Sequence, residues 1–97
     1  MDQSSSFSNF FAGIQNDFRI STTHIAIYMA LLQSRVERGF VNPIQVFAKE
    51  VMPIAKVSSQ RTYNKILHDL NDYGYIKYVI SFKKNEGSKV YFMENTD

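Results

Sequence analysis

The stretch from Ser58 to Tyr78, SSQRTYNKILHDLNDYGYIKY, constrains the fold more than any other part of this 97-residue chain. Its apolar and aromatic residues first recur at helical spacing, and the pattern stops at Gly74, a residue type that readily takes the left-handed backbone at a helix end. Ser58 can accept hydrogen bonds from the free N–H groups of the first turn. The residues after Gly74 are β-branched or aromatic, which is typical of a strand. The stretch therefore predicts a capped helix that leads directly into a strand.

A β-hairpin is predicted for the rest of the C-terminal part. Its first strand runs on to Phe82, its turn spans residues 83–88, and it returns through KVYFM at residues 89–93. Gly87 is expected to supply a left-handed residue at the end of the turn. The predicted order is thus helix, strand, turn and strand.

A first core helix is predicted upstream, where apolar residues recur with helical period after Ser21 and Thr22, either of which can cap it. The helix is expected to end near Gly39. The pair Asn42-Pro43 supports a break there, because the residue before a proline is pushed out of helical geometry.

A short strand and a second helix are predicted between this helix and Ser58. Ile44 and Val46 alternate around a polar residue, which is typical of an edge strand, and residues 47–55 have a helical apolar face. Pro53 removes a backbone donor, so we expect a kinked or 3₁₀ end to this helix. A turn of two or three residues then joins the two helices, which is the tight connection that a helix-turn-helix needs.

These elements carry a resemblance to a known family. The runs FRISTTHIAIYMALLQ, NPI, RTYNKILHDLNDYGYIKY and GSKVYF, which lie between Phe18 and Phe92, resemble a bacterial winged helix-turn-helix domain. Within that superfamily they are similar to small single-domain proteins of Bacteroides-type mobile elements. The resemblance implies an α+β fold with a three-helix core, in which the helix after Ser58 is a recognition helix and the C-terminal β-hairpin is the wing. It also implies DNA binding, although winged helices serve as protein-interaction modules too.

One domain is expected from the length of the chain, with short additions at both ends. Residues 1–6 are polar, serine-rich and predicted to be disordered, and residues 7–18 predict an extra N-terminal amphipathic helix. Residues 19–93 form the predicted winged helix-turn-helix domain, and residues 94–97 are a polar tail.

The N-terminal helix is apolar along one face, where its stripe consists of Phe7, Phe10, Phe11, Ile14 and Phe18. An exposed stripe of this kind would be a large sticky patch, and burying each side chain is worth roughly 1.5–3 kcal/mol, so something covers this face. Two arrangements would bury the stripe. The stripe either packs on the core of its own chain or forms the interface of a homodimer, which would place two recognition helices on a palindromic site.

Polar and basic side chains occupy the start of the predicted recognition helix, off its apolar stripe. They are Ser58, Ser59, Gln60, Arg61, Asn64 and Lys65. Arginine can bond guanine in two places, glutamine and asparagine can bond adenine, and lysine and serine contact phosphates. The helix dipole also favours phosphate at this end. Any amphipathic helix has an exposed polar face, so the prediction of contact with double-stranded DNA draws on the resemblance as well.

Basic residues also mark the predicted wing. Lys83 and Lys84 lie in its turn and Lys89 just after it, at positions that suit contact with phosphates or the minor groove. Between Ser58 and Met93 the chain has six basic and three acidic residues, although its net charge is only +2. Lysine is also common on exposed edge strands, where it limits aggregation, so a purely solvating role is the alternative.

Several function classes are disfavoured by the composition. The chain has no cysteine, which excludes disulfides and thiolate metal sites, and it has no signal peptide or long apolar run, so we expect a cytoplasmic protein that does not enter a membrane. Its two histidines, His24 and His68, lack metal-ligand spacing, and the sequence contains no catalytic motif. We therefore expect neither an enzyme nor a cofactor.

The sequence predicts a double-stranded DNA-binding protein that acts as a transcriptional regulator or as an accessory factor of a mobile element or plasmid. The alternative is a winged helix that binds proteins or dimerises without contacting DNA. The two functions differ in whether the start of the recognition helix is exposed and basic, or covered by a partner or by the N-terminal segment.

Overall fold

The structure, a computed structural model, describes the backbone of residues 4–93 and the side chains of residues 7–93. Residues 1–3 of the predicted disordered segment and the predicted tail at residues 94–97 lie outside the described residues. The described part has an α+β fold with four α-helices and one antiparallel sheet of three strands. In chain order the elements are α1 (Ser4–Ile14), α2 (Thr22–Glu37), β1 (Ile44–Val46), α3 (Ala48–Ala55), α4 (Gln60–Asp72), β2 (Ile76–Val79) and β3 (Ser88–Phe92).

Helix α1 packs on the core of its own chain. Phe10 has only 3% of its surface exposed, and Phe11 and Ile14 are partly buried against the same core. The helix begins at Ser4 instead of residue 7, since serine is readily accepted in a first turn, and it ends at Ile14 instead of Phe18. The sequence left open whether the apolar stripe packs within its own chain or in a homodimer. In the structure these three side chains pack within the chain.

Phe18 lies outside α1 because the chain turns after Ile14. The Asp17 N–H donates to the Ile14 carbonyl at 3.1 Å, and the Asp17 carboxylate accepts the Arg19 N–H at 3.1 Å, so Asp17 closes a turn that ends the helix. The Tyr75 hydroxyl donates to the same carboxylate at 2.6 Å and ties the turn to the rest of the fold. Phe18 is 96% exposed as a result and does not continue the helical stripe.

Helices α2 and α3 begin and end close to the predicted positions. Ser21, one of the two predicted caps of α2, accepts the His24 N–H, while the His24 ring accepts the Ser21 N–H at 3.0 Å. At the other end Gly39 has a φ of +77° and lets the chain leave the helix. Pro53 lies within α3, which is α-helical to Ala55, and the Lys56 N–H donates to the Pro53 carbonyl at 3.3 Å in a bond of the 3₁₀ type just after the helix.

The cap of α4 is Ser59, whereas the sequence predicted Ser58. Lys56 takes a left-handed conformation at φ 61°, and the N–H that follows it bonds back to α3, so the turn is longer and leaves the second serine at the capping position. The Ser59 Oγ accepts the Thr62 N–H at 3.1 Å. At the far end of the helix Gly74 has a φ of +87°, which confirms the predicted stop.

The sheet has β3 at its centre, paired antiparallel with β1 on one side and with β2 on the other. Strand β2 ends at Val79, although the sequence predicted that it would run on to Phe82. The reason is the register: β3 begins at Ser88, and its last pair with β2 joins Lys89 to Val79. Residues 80–87 therefore form a loop, whereas the sequence assigned residues 80–82 to the strand.

A glycine is required at position 87 because a side chain would not fit there, and not because the backbone is left-handed. A Cβ atom at this position would lie 2.8 Å from the backbone N and O atoms of Val46 on β1. The glycines with a positive φ in the described residues are Gly39 and Gly74. The end of the loop therefore lies directly against the main chain of β1.

The core is formed by the inner faces of the helices and of the sheet. Its largest fully buried apolar side chains are Tyr28, Ile27, Leu31, Ile44, Leu67, Leu70, Ile76, Val51 and Val90. This packing fixes α4 by one face and leaves the other face of its first turns in solvent. Within residues 4–93 no helix is long and apolar enough to cross a membrane.

Candidate nucleic-acid interface

The side chains of the predicted contact set lie together on one exposed surface at the start of α4. The set consists of Ser58, Ser59, Gln60, Arg61, Asn64 and Lys65, all of them exposed. Tyr63, on the adjacent face of the helix, is buried, and burial raises the pKa of its hydroxyl. No segment in residues 4–93 covers this surface, which we call the α4 surface.

Two amide side chains on the α4 surface form a pair. The Gln60 Nε2 donates to the Asn64 Oδ1 at 3.0 Å, one helical turn along. The Gln60 Oε1 and the Asn64 Nδ2 have no hydrogen-bond partner within the described part of the chain. Together the two side chains present an acceptor and a donor to solvent, which is the complement of the N6 donor and N7 acceptor of adenine in the major groove.

Lys65 is held to the helix by an ion pair. Its Nζ lies 2.9 Å from the Asp69 Oδ2, and the same oxygen accepts the His24 Nε2–H at 2.9 Å. The hydrogen bond from Lys65 holds the pKa of the Asp69 carboxyl below its usual value; partial burial opposes this effect and His24 adds to it. Asp69 in turn raises the pKa of Lys65. The carboxylate therefore neutralises part of the positive charge on the α4 surface.

Arg61 differs from Lys65 in having no such partner. Its exposed guanidinium makes no hydrogen bond or ion pair to any residue from 4 to 93. All of its N–H groups are thus available for two-point contact with a phosphate or with the edge of a guanine. Of the two cations that the sequence placed here, Arg61 is the one that the fold leaves free.

Ser21, His24 and Asp69 form a chain of hydrogen bonds that the sequence did not predict. The Ser21 Oγ lies 2.7 Å from the His24 Nδ1, and the His24 Nε2 lies 2.9 Å from Asp69, a residue 45 positions away. Nucleophilic enzymes use these residue types. Here the Nδ1 also accepts the Ser21 N–H at 3.0 Å, and the Ser21 hydroxyl caps α2. The chain of hydrogen bonds therefore satisfies the buried imidazole and joins the start of α2 to the last turn of α4.

A groove of about 210 Å³ separates the start of α4 from the loop at residues 80–87. Gln60 and Asn64 line its helical side, and Lys83 and Lys84 line its loop side. Residues 46–48, where β1 leads into α3, also line the groove. The fold therefore places two amide side chains and two lysines on facing walls of one groove.

The three predicted wing lysines do not share one position. Lys83 and Lys84 line the groove, and the Lys83 Nζ lies 3.9 Å from the Glu86 Oε2 in an exposed ion pair of the kind that contributes little. Lys89 lies on β3, where it pairs across the sheet with Gln45 and Val79. The structure thus brings two of the three lysines to the groove.

The predicted dimer residues are divided in a similar way. Phe10, Phe11 and Ile14 pack within the chain, whereas Phe7 is 44% exposed and Phe18 is almost fully exposed. Phe7 lines a second groove, of about 380 Å³, which is mostly apolar. Its lining residues are Phe7, Met29, Leu32, Gln33, Arg35, Val36 and Phe40.

The described residues contain no group of three or more His, Asp or Glu side chains that could hold a metal ion. No protein-family model matches the chain, and no curated protein and no solved structure matches it either. The candidate site is therefore defined by the geometry of this chain.

Proposed function

We propose that this chain is a winged helix-turn-helix protein that binds double-stranded DNA, with α4 as the recognition helix and the β2–β3 hairpin as the wing. The observation that carries the proposal is the groove with Gln60 and Asn64 on one wall and Lys83 and Lys84 on the other. Amide groups on a helix can read base edges in the major groove, while lysines on a neighbouring loop neutralise phosphates. The connection between α3 and α4 has four residues, 56–59, which is still short enough for a helix-turn-helix and supports the same assignment.

The resemblance of the sequence suggests the biological setting. A small winged helix of this type acts in the cytoplasm as a transcriptional regulator or as an accessory factor in the maintenance of a mobile element or plasmid. Catalysis is not part of the proposal, since DNA recognition accounts for the exposed polar side chains at the start of α4 without it.

The test is a polarisation titration of the purified protein against labelled duplexes of mixed sequence, at about 50 and 200 mM salt. We expect binding that weakens steeply with salt, and a loss of about 1–3 kcal/mol for Arg61→Ala. Lys77→Ala is the matched control. Lys77 also carries a positive charge, but its neighbour Tyr78 lines the groove, so Lys77 lies on the opposite face of the sheet.

Absence of duplex binding by the folded intact protein at low salt would overturn the proposal. Equal losses for Arg61→Ala and Lys77→Ala would show that total charge matters and the α4 surface does not.

A homodimer belongs to the same proposal, because two recognition helices about one DNA turn apart can read a palindrome. The exposed members of the predicted interface are Phe7 and Phe18. The alternative function, dimerisation without DNA, is favoured by the apolar groove beside Phe7. Sedimentation of the intact protein and of a Phe7→Ser, Phe18→Ser variant tests the interface. A dimer that becomes a folded monomer supports it, and an intact protein that is monomeric at tens of micromolar rules it out.

A further inference from the structure

Phe82 is the most exposed large apolar side chain of the loop between β2 and β3. It has 94% of its surface in solvent, next to the groove lysines Lys83 and Lys84 in the sequence. A single exposed apolar residue is common on protein surfaces, and Phe82 is set apart by the two lysines that follow it in the sequence. A ring in this position suits a ligand that takes an apolar group beside positive charge.

The backbone around Phe82 is held by three hydrogen bonds. The Ser81 N–H donates to the Ser88 Oγ at 3.1 Å, and the Lys83 N–H donates to the Ser81 Oγ at 3.2 Å, across Phe82 itself. A turn follows, in which the Glu86 N–H donates to the Lys83 carbonyl at 3.2 Å. The loop thus presents the ring from a braced backbone, which lowers the entropy that binding must overcome.

The charges next to the ring indicate the chemistry of its partner. Lys83 and Lys84 are exposed, and Glu86 is the acidic residue of the loop, 3.9 Å from the Lys83 Nζ. An apolar ring followed in the sequence by two lysines complements a base step, whose apolar faces lie between two phosphate backbones. A protein partner that bound the ring in an apolar groove would not offer such an array of negative charge.

We propose that Phe82 is a wedge that enters the minor groove and separates two stacked base pairs, while Lys83 and Lys84 contact the phosphates beside it. This inference rests on the proposed DNA-binding function. Side chains of this type unstack a base step and kink the duplex by about 20–90°. Pyrimidine–purine steps such as TA and CA unstack most easily, so the protein should prefer such a step at a fixed distance from the bases that α4 reads.

The experiment measures binding and bending on the same DNA. A duplex with a donor dye at one end and an acceptor at the other reports the kink by energy transfer, and polarisation reports binding. The intact protein should raise the transfer, Phe82→Ala should abolish the rise and weaken binding by about tenfold, and Phe82→Leu should keep most of the bend because leucine is also an effective wedge. The thermal midpoint of each variant confirms folding, which an exposed residue should not disturb.

The outcomes separate the two proposals. Tight binding by the intact protein with no change in energy transfer, or with the same change in Phe82→Ala, overturns the wedge and leaves DNA binding intact. Absence of duplex binding by the intact protein overturns the proposed function and the wedge with it. Binding of the intact protein but not of Phe82→Ala to vesicles rich in phosphatidylserine, with equal DNA bending by both, would assign the ring to a membrane surface and overturn the wedge as well.

Discussion

The ring of Phe10 lies parallel to the ring of Tyr28, with 3.9 Å between the centroids and 8° between the planes. Tyr75 packs edge-on against the same ring at 5.4 Å, so Phe10 is enclosed by aromatic groups from α2 and from the segment after α4. Such pairs contribute about 0.5–1.5 kcal/mol beyond the area that they bury. Helix α1 is therefore part of the folded core.

Phe10→Ala is expected to lower the free energy of unfolding by about 3–5 kcal/mol, because it leaves a cavity between Tyr28 and Tyr75. Phe7→Ala removes the same side chain from the same helix at a position that is 44% exposed, and it should cost much less. Urea denaturation followed by far-ultraviolet circular dichroism measures both. Similar small losses for the two variants would mean that α1 does not pack on the core in solution.

The two cations of the α4 surface are expected to differ in their effect on DNA binding. Lys65→Ala should weaken binding less than Arg61→Ala, because Asp69 already neutralises part of the Lys65 charge and Arg61 has no ion-pair partner in the described residues. Polarisation titrations of the two variants with one duplex give the order. A larger loss for Lys65→Ala would show that its ion pair with Asp69 opens when DNA binds.

The loop lysines are expected to set the salt dependence of binding. Replacing Lys83 and Lys84 by glutamine should reduce the slope of log affinity against log salt by about 1 for each phosphate that is no longer neutralised, while sequence preference is kept. Lys89→Gln should change the slope less, since Lys89 lies on β3 outside the groove. An unchanged slope with an altered sequence preference would instead assign base reading to the loop.

Asp17 is expected to make stability depend on pH in the acid range. Hydrogen bonds from Arg19 and then from Tyr75 hold the pKa of its carboxyl well below the usual value, whereas in the unfolded chain the pKa is about 3.9. A carboxyl with a lowered pKa in the folded state stabilises the fold above about pH 4, and this contribution is lost as the pH falls towards the folded value.

Urea unfolding of the intact protein and of Asp17→Asn, at several pH values from about 6 down to 2, tests this expectation. The difference in unfolding free energy between the two proteins should be largest above about pH 5 and shrink below pH 4. Tyr75→Phe removes one of the two donors and should retain part of the pH dependence. A difference that stays constant across the range would contradict the role of the carboxylate.

Sequence patterns were sufficient to predict features that depend on residues close together in the chain. The stops at Gly39 and Gly74 follow from the backbone freedom of glycine, and the buried face of α4 follows from its helical period. The end of β2 at Val79 and the need for Gly87 could not be predicted in this way. Both depend on the register of β3 and on its approach to β1, which are contacts between segments distant in the sequence.

The candidate site could likewise be predicted only where it depends on local sequence. The exposure of Gln60, Arg61 and Asn64 follows from their helical phase relative to the buried residues. The ion pair of Lys65 with Asp69 also follows from their spacing of one helical turn, whereas the hydrogen bond from His24 to Asp69 does not, because His24 lies on another helix. Asp69 thus joins two helices in addition to pairing with Lys65.

The contact of Gly87 with the main chain of Val46 determines how the groove can change during evolution or design. Main-chain atoms hold the end of the loop against β1, and β1 runs directly into α3, so the distance between the facing walls does not depend on the side chains that line them. In the proposed DNA-binding function, residues such as Gln60 and Asn64 could therefore be exchanged to favour other base sequences while the spacing of the scaffold is kept. Substitution at a few exposed positions would then be enough to alter the proposed sequence preference.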